Sequence, residues 1–140
     1  MSKIILGIDP DSKAHGVAVY IDGVLTGLKS MPLMEIMEFM EGLSDITVHI
    51  EDVCANNAVF NPKSKAEAKA RGRTLGMCQQ AQIELQRFFE HAGVKVVKHK
   101  ISKVWKKDKA QFERVTGWSG RSNEDTRSAA FFGYLGLRGK

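Results

Sequence analysis

Asp9 and Glu51 each close a short apolar run. The first run is Lys3-Ile4-Ile5-Leu6-Gly7-Ile8-Asp9, stopped by Pro10, and the second is Ile46-Thr47-Val48-His49-Ile50-Glu51. In the first run Ile4, Ile5, Leu6 and Ile8 are continuously apolar, which marks a strand covered on both faces. A carboxylate at the end of a buried strand is costly unless its charge is compensated. Two carboxylates at one sheet edge, without an obvious basic partner, suit a divalent cation. Each also has a purely structural alternative. Asp9 could cap the turn at Pro10-Asp11-Ser12, and Glu51 could pair with a surface lysine. Asp52 could replace Glu51, but strand alternation turns it to the opposite face.

The intervening elements decide whether the two acids meet. His15 to Ile21, Asp22-Gly23 and Val24 to Leu28 read as a hairpin, with Asp-Gly as the turn. Pro32 to Gly42 reads as a helix capped by Ser30, with Leu33, Ile36, Met37 and Met40 as its apolar stripe. A helix between two strands implies a crossover, so the strand ending at Glu51 runs parallel to the first. Both acids then reach the carboxyl edge of the sheet, where sites gather in α/β folds. A polar loop from Asn56 to Asn61 follows. Lys65 to His91 reads as a long helix with a break near Gly72 or Gly76. Val94 to Lys98 reads as an edge strand and Ser102 to Thr116 as a basic helix. The last helix runs from Ser122 to Leu137, opening on a capping box at Ser122-Asn123-Glu124-Asp125. The pattern is that of an α/β, RNase H-like fold: a five-stranded mixed sheet, order 3-2-1-4-5, flanked by helices.

With 140 residues, the chain reads as one domain spanning 1–140. Cys54 and Cys78 lack a CxxC spacing and are expected to be buried thiols. The four histidines lack ligand spacing and are read as structural. No apolar run is long enough to span a membrane, and no leader precedes the first strand, so a cytoplasmic protein is expected. Charge is uneven: residues 61–114 carry 14 Lys/Arg against 5 Asp/Glu, within a chain of net charge +5. A basic middle beside an acidic pocket suits a protein that grips a phosphate backbone, although a solvated basic helix gives the same count.

The chain resembles the RuvC-type Holliday-junction resolvases, especially their phage-encoded relatives. Gly7-Ile8-Asp9-Pro10, with Ser12 and Gly16, is similar to the opening motif of that family. Ile50-Glu51 with its polar loop is similar to the second. The stretches from Ala70 to Gly76 and from Val104 to Lys107 are similar to the middle. Asn123-Glu124-Asp125-Thr126-Arg127-Ser128-Ala129-Ala130 is similar to the start of the last, acid-bearing helix. The resemblance implies a crossover junction endodeoxyribonuclease that uses two Mg²⁺ ions, with Mn²⁺ as a substitute. It makes Asp9, Glu51 and Asp125 metal ligands and sets Lys107 near the scissile phosphate, with Lys103, Lys106 and Lys109 as rivals. DNA contacts fall to Lys103, Lys106, Arg71 and Arg73. Phe60 is either a wedge in the opened junction or an anchor under its loop. The resemblance also implies a homodimer acting on branched DNA in recombination and repair, in a bacterial or phage-infected cell. The long helix from Lys65 would pair the subunits through Leu75, Met77 and Phe88.

Two positions depart from the family pattern. Asp11 stands where glycine is usual, and Ser128 where a second helical aspartate is usual. Glu124 is the neighbouring acid able to assist at the metal. Two alternatives keep the fold: an RNA-directed nuclease, or a branched-DNA-binding protein without catalysis.

The basic stretch yields a first test. Lys106→Ala with Lys107→Ala should weaken junction binding and reduce its salt dependence, by roughly one unit of log–log slope per lost phosphate contact. Titrations at several salt concentrations measure the slope.

Overall fold

The computed structural model describes residues 2–55, 64–100 and 104–139. Phe60, Lys103 and the polar loop at 56–61 lie outside the described residues. Five strands, β1 (Ile4–Asp9), β2 (His15–Ile21), β3 (Val24–Met31), β4 (Ile46–Glu51) and β5 (Lys95–His99), form one mixed sheet. Its order is β3-β2-β1-β4-β5, as the pattern predicts. The hairpin turns at Asp22 and Gly23, whose φ angles of 49° and 86° are the positive values that a tight two-residue turn requires. β4 runs parallel to both β1 and β5.

Two helical layers cover the sheet. α1 (Leu33–Met40) and α2 (Lys65–His91) bring Ile36, Met40, Leu85 and Phe89 onto Leu6, Ile8, Val17, Val48 and Ile50. α4 (Glu124–Leu137) covers the opposite face, where Ala129 and Ala130 meet Ile5, Ala18 and Tyr20. α3 (Lys109–Thr116) adds Phe112 beside Trp105. β1 is therefore buried on both sides along its length, which explains its unbroken apolar run.

α4 approaches β1 so closely that a side chain at Gly7 would collide with the carbonyl of Ala129 and lie 2.6 Å from the Gly133 nitrogen. The Tyr20 hydroxyl donates to the Ala130 carbonyl at 2.6 Å and fixes the same contact.

Several local expectations are corrected. Ser30 pairs with Gly16 inside β3 and does not cap α1, which starts after Pro32 without a side-chain cap. The longer strand is stabilised by its ladder to β2. α2 runs unbroken through Gly72 and Gly76, since a glycine costs a helix only about 1 kcal/mol. The basic helix shrinks to α3, capped by Asp108, whose Oδ1 accepts from the Gln111 amide at 3.0 Å. Residues 104–107 form a turn held by the burial of Trp105. At α4 the capping box joins Asn123 to Thr126, not Ser122 to Asp125. Cys54 is exposed and Cys78 half-buried. No helix among the described residues is long and apolar enough to cross a membrane.

These contacts predict opposite effects for two glycine substitutions. Gly7→Ala should destabilise the fold by about 3 kcal/mol or more, as overpacking against backbone cannot relax through a rotamer. Gly72→Ala has open space around it and should stabilise by about 0.5–1 kcal/mol. Urea unfolding curves measure both.

Candidate active site

β1 and β4 finish at one edge of the sheet. Ile8 pairs with Ile50, and both point into the layer under α1 and α2. Alternation then turns Asp9 and Glu51 toward the α4 face. Asp9 pairs with Gly16 across β2. Gly16 is covered by Asp125: a side chain there would strike the Asp125 carbonyl and come within 3.2 Å of its Cβ. The first turn of α4 is thereby seated over the end of β1. Its cap is closed in both directions, with the Thr126 amide donating to Asn123 Oδ1 at 2.8 Å and the Asn123 amide to Thr126 Oγ1 at 2.9 Å.

A lysine joins the two acids. Lys106 Nζ lies 3.4 Å from Asp9 Oδ2 and 3.7 Å from Asp125 Oδ1. The Asp9 side chain is only 6% exposed, and its Oδ2 is buried without a hydrogen bond. Burial, then the charge on Asp9, holds the Asp125 carboxyl above the ordinary aspartate value, with Lys106 acting against them. Burial disfavours the Lys106 ammonium, but Asp9, Asp125 and Glu51 outweigh it and hold its pKa above that of free lysine. Cys78 of α2 faces the same edge, and its thiol is pushed up by burial and then by Asp11, with Asp9 and Glu51 adding to it.

The other expected site residues lie further out. Lys107 reaches Glu124 at 3.2 Å and is 84% exposed, so neither enters the Asp9–Asp125 pair. Ser128 is buried within α4. Asp52 accepts from Gln82 Nε2 at 3.0 Å, away from the acids. Arg71 and Arg73 stand on the exposed first half of α2, where Arg71 pairs with Glu67 at 2.6 Å. A groove of about 850 Å³ between α1 and the end of α2 touches none of the site acids.

Two features were not read from the sequence. The first is Arg127, which is 9% exposed and donates to the carbonyls of Trp105 at 3.1 Å and Lys106 at 2.7 Å and to Ser122 Oγ at 3.0 Å. It ties the 104–107 turn to α4 and so aims Lys106. Its signal in the sequence is only an arginine two residues past Asp125. The second is a buried pair, His49 Nδ1 with His99 Nε2 at 2.8 Å, stacked at 5.1 Å. His99 also stacks on Phe132, and Gly136 leaves room for His49. In register terms His99 is the β5 partner of Glu51.

Chemically, Asp9 and Asp125 present carboxylate oxygens around the Lys106 ammonium, the donor type that hard cations prefer. Asp9 Oδ2, buried and faced by the Lys106 ammonium at 3.4 Å, is an oxygen that such a cation would also suit. Among the described residues no three His, Cys, Asp or Glu side chains are grouped around one point.

No family model matches this sequence, and no curated protein matches it. Solved structures do. RuvC of Thermus thermophilus in complex with a Holliday-junction substrate superposes with a TM-score of 0.60, covering 94% of this chain and 90% of that one at 15% identity. A second Thermus thermophilus RuvC structure gives a TM-score of 0.60 at 14% identity, covering 97% of this chain and 96% of that one. The fold is RuvC-like. At this identity the likeness carries the architecture alone.

The histidine pair predicts a pH dependence. Burial, followed by His99, Lys95 and Lys3, lowers the His49 pKa from 6.5 to about 4. The folded state holds His49 neutral, so the unfolded chain binds more protons between these values. Stability should be full above pH 6.5 and fall as pH drops toward 4. His49→Gln should flatten that part of the curve, as read from urea midpoints across the range.

Proposed function

We propose that the protein is a metal-dependent, structure-selective endonuclease that resolves four-way DNA junctions. The observation that carries the reading is the meeting of the buried Asp9 and of Asp125 around Lys106 at the carboxyl edge of a RuvC-like sheet. Asp9, Asp125 and Glu51 would hold Mg²⁺, or Mn²⁺ in its place, with Glu124 as an outer auxiliary. Two such ions supply a water activated for in-line attack and charge stabilisation at the leaving oxygen.

The chain's own residues do the rest. Among the described residues Lys106 is the lysine nearest the acids, and we assign to it the role that the resemblance gives Lys107. Its ammonium would offset charge growing on the scissile phosphate. Lys107, Arg71 and Arg73 are solvent-facing and suit backbone contacts. Two symmetric nicks call for a homodimer, for which the exposed first half of α2 is the surface we propose. One observation favours the rival reading, a junction-binding protein without catalysis: Ser128 is neutral where a fourth carboxylate would complete the metal set.

A cleavage assay separates the two. With Mg²⁺ and a synthetic four-way junction, the wild-type protein should cut. Asp9→Asn should lose about 100-fold or more in rate, because a metal ligand is removed. Junction affinity in a gel-shift assay should stay unchanged, since the basic surface is intact. Wild-type binding without cutting would favour the non-catalytic reading, and cutting by Asp9→Asn would overturn the site.

A further inference from the structure

A buried carboxylate cannot stay unpaired in a folded protein without large cost. Asp9 is such a group, and the described structure brings one cation to it. Lys106 Nζ stands 3.4 Å from Asp9 Oδ2 and 3.7 Å from Asp125 Oδ1, with its own side chain only 20% exposed. The ammonium lies between the two acids that the proposed function makes metal ligands. A cation that bridges both acids would have to take the place the ammonium now holds.

The lysine is not there by chance of a flexible side chain. Its backbone carbonyl accepts from Arg127 Nη2 at 2.7 Å, and the preceding carbonyl accepts from Arg127 Nε at 3.1 Å. Trp105 is buried among Phe112, Phe131 and Tyr134, which pins the other side of the turn. Arg127 belongs to the same helix as Asp125, two residues further on. One rigid element thus carries a candidate ligand and the clamp that aims its counter-ion.

We infer that Lys106 is a resident counter-ion of the Asp9–Asp125 pair, positioned by Arg127, which a divalent cation must displace in order to bind. The inference rests on the metal-site reading above and adds an exchange to it. In the metal-free protein the ammonium holds the two carboxylates together. On loading, it is released toward the substrate side of the edge, where the phosphate arrives. Metal affinity without DNA is kept low, because the cation competes with an internal charge. A contact closed about nine-tenths of the time would weaken apparent affinity roughly tenfold.

The test is direct Mn²⁺ binding to the whole protein without DNA, followed by electron paramagnetic resonance of the free ion. Thermal midpoints in EDTA and in Mn²⁺ accompany it. Lys106→Met should bind Mn²⁺ roughly tenfold tighter than wild type. Its midpoint in EDTA should fall by several degrees, since Asp9 loses its partner, and Mn²⁺ should restore more than it adds to wild type. Lys107→Met removes the same charge one residue away and controls for long-range electrostatics; its affinity should change by less than about twofold. Arg127→Lys keeps the charge but loses the fork, so its affinity should lie between wild type and Lys106→Met. Should that buried position fail to fold, the comparison of the two Met variants still decides. Lys106→Met binding no tighter than Lys107→Met would overturn the inference. If Mn²⁺ binds wild type and not Asp9→Asn in that case, the metal site survives and only the exchange falls. No Mn²⁺ binding by any form would overturn both.

Discussion

The close approach of α4 to the sheet governs this structure. A helix normally stands off a sheet by the thickness of two side-chain layers. Here Gly7 and Gly16 remove one of those layers, and the backbone of α4 rests directly on β1 and β2. Asp125 is carried down with it to the level of Asp9. With ordinary side chains at these glycines, the two carboxylates would belong to separate surfaces. The Tyr20 hydroxyl and the Asn123–Thr126 box then fix the helix in rotation and along its axis.

That approach creates an electrostatic problem. Carboxylates at a buried edge repel each other, and desolvation penalises each one. The chain answers with an ammonium on a turn and a guanidinium that holds the turn. Arg127 spends its donors on two main-chain carbonyls and a hydroxyl, so it acts on geometry more than on charge pairing. On the β5 side of Glu51, burial lowers the pKa of both His49 and His99, and at His49 the charge of His99, then Lys95 and Lys3, adds to it. The acids are thus flanked by one group whose charge they favour and one pair whose protonation burial disfavours.

α2 has two halves with different physics. Its second half packs Gln82, Leu85 and Phe89 into the core. Its first half buries nothing, yet stays helical in continuity with the packed half, helped by the Ser64 cap and the Glu67–Arg71 pair. A long basic helix anchored only at one end leaves an extended surface beside the site.

The fold was legible in the sequence because it follows from periodicity and chirality. The Asp-Gly turn, the apolar runs at Ile4–Ile8 and Ile46–Ile50, and a helix between parallel strands leave one sheet order. The same rules put Asp9 beside Glu51, since a parallel crossover returns both strand ends to one edge. Other features were not legible. Four lysines between 103 and 109 are equivalent as letters, and only the burial of Trp105 and the reach of Arg127 select Lys106. The basic segment looked helical by composition, but the packing of one tryptophan outweighed that propensity. Histidines 49 and 99 are 50 residues apart and met only when β4 and β5 aligned. The sequence by itself determined the elements, their order and the edge where the acids gather, because those depend on patterns within each segment. Which cation faces the acids, and how closely the last helix brings Asp125 to Asp9, was decided by tertiary structure alone, because both depend on packing between segments far apart in the chain.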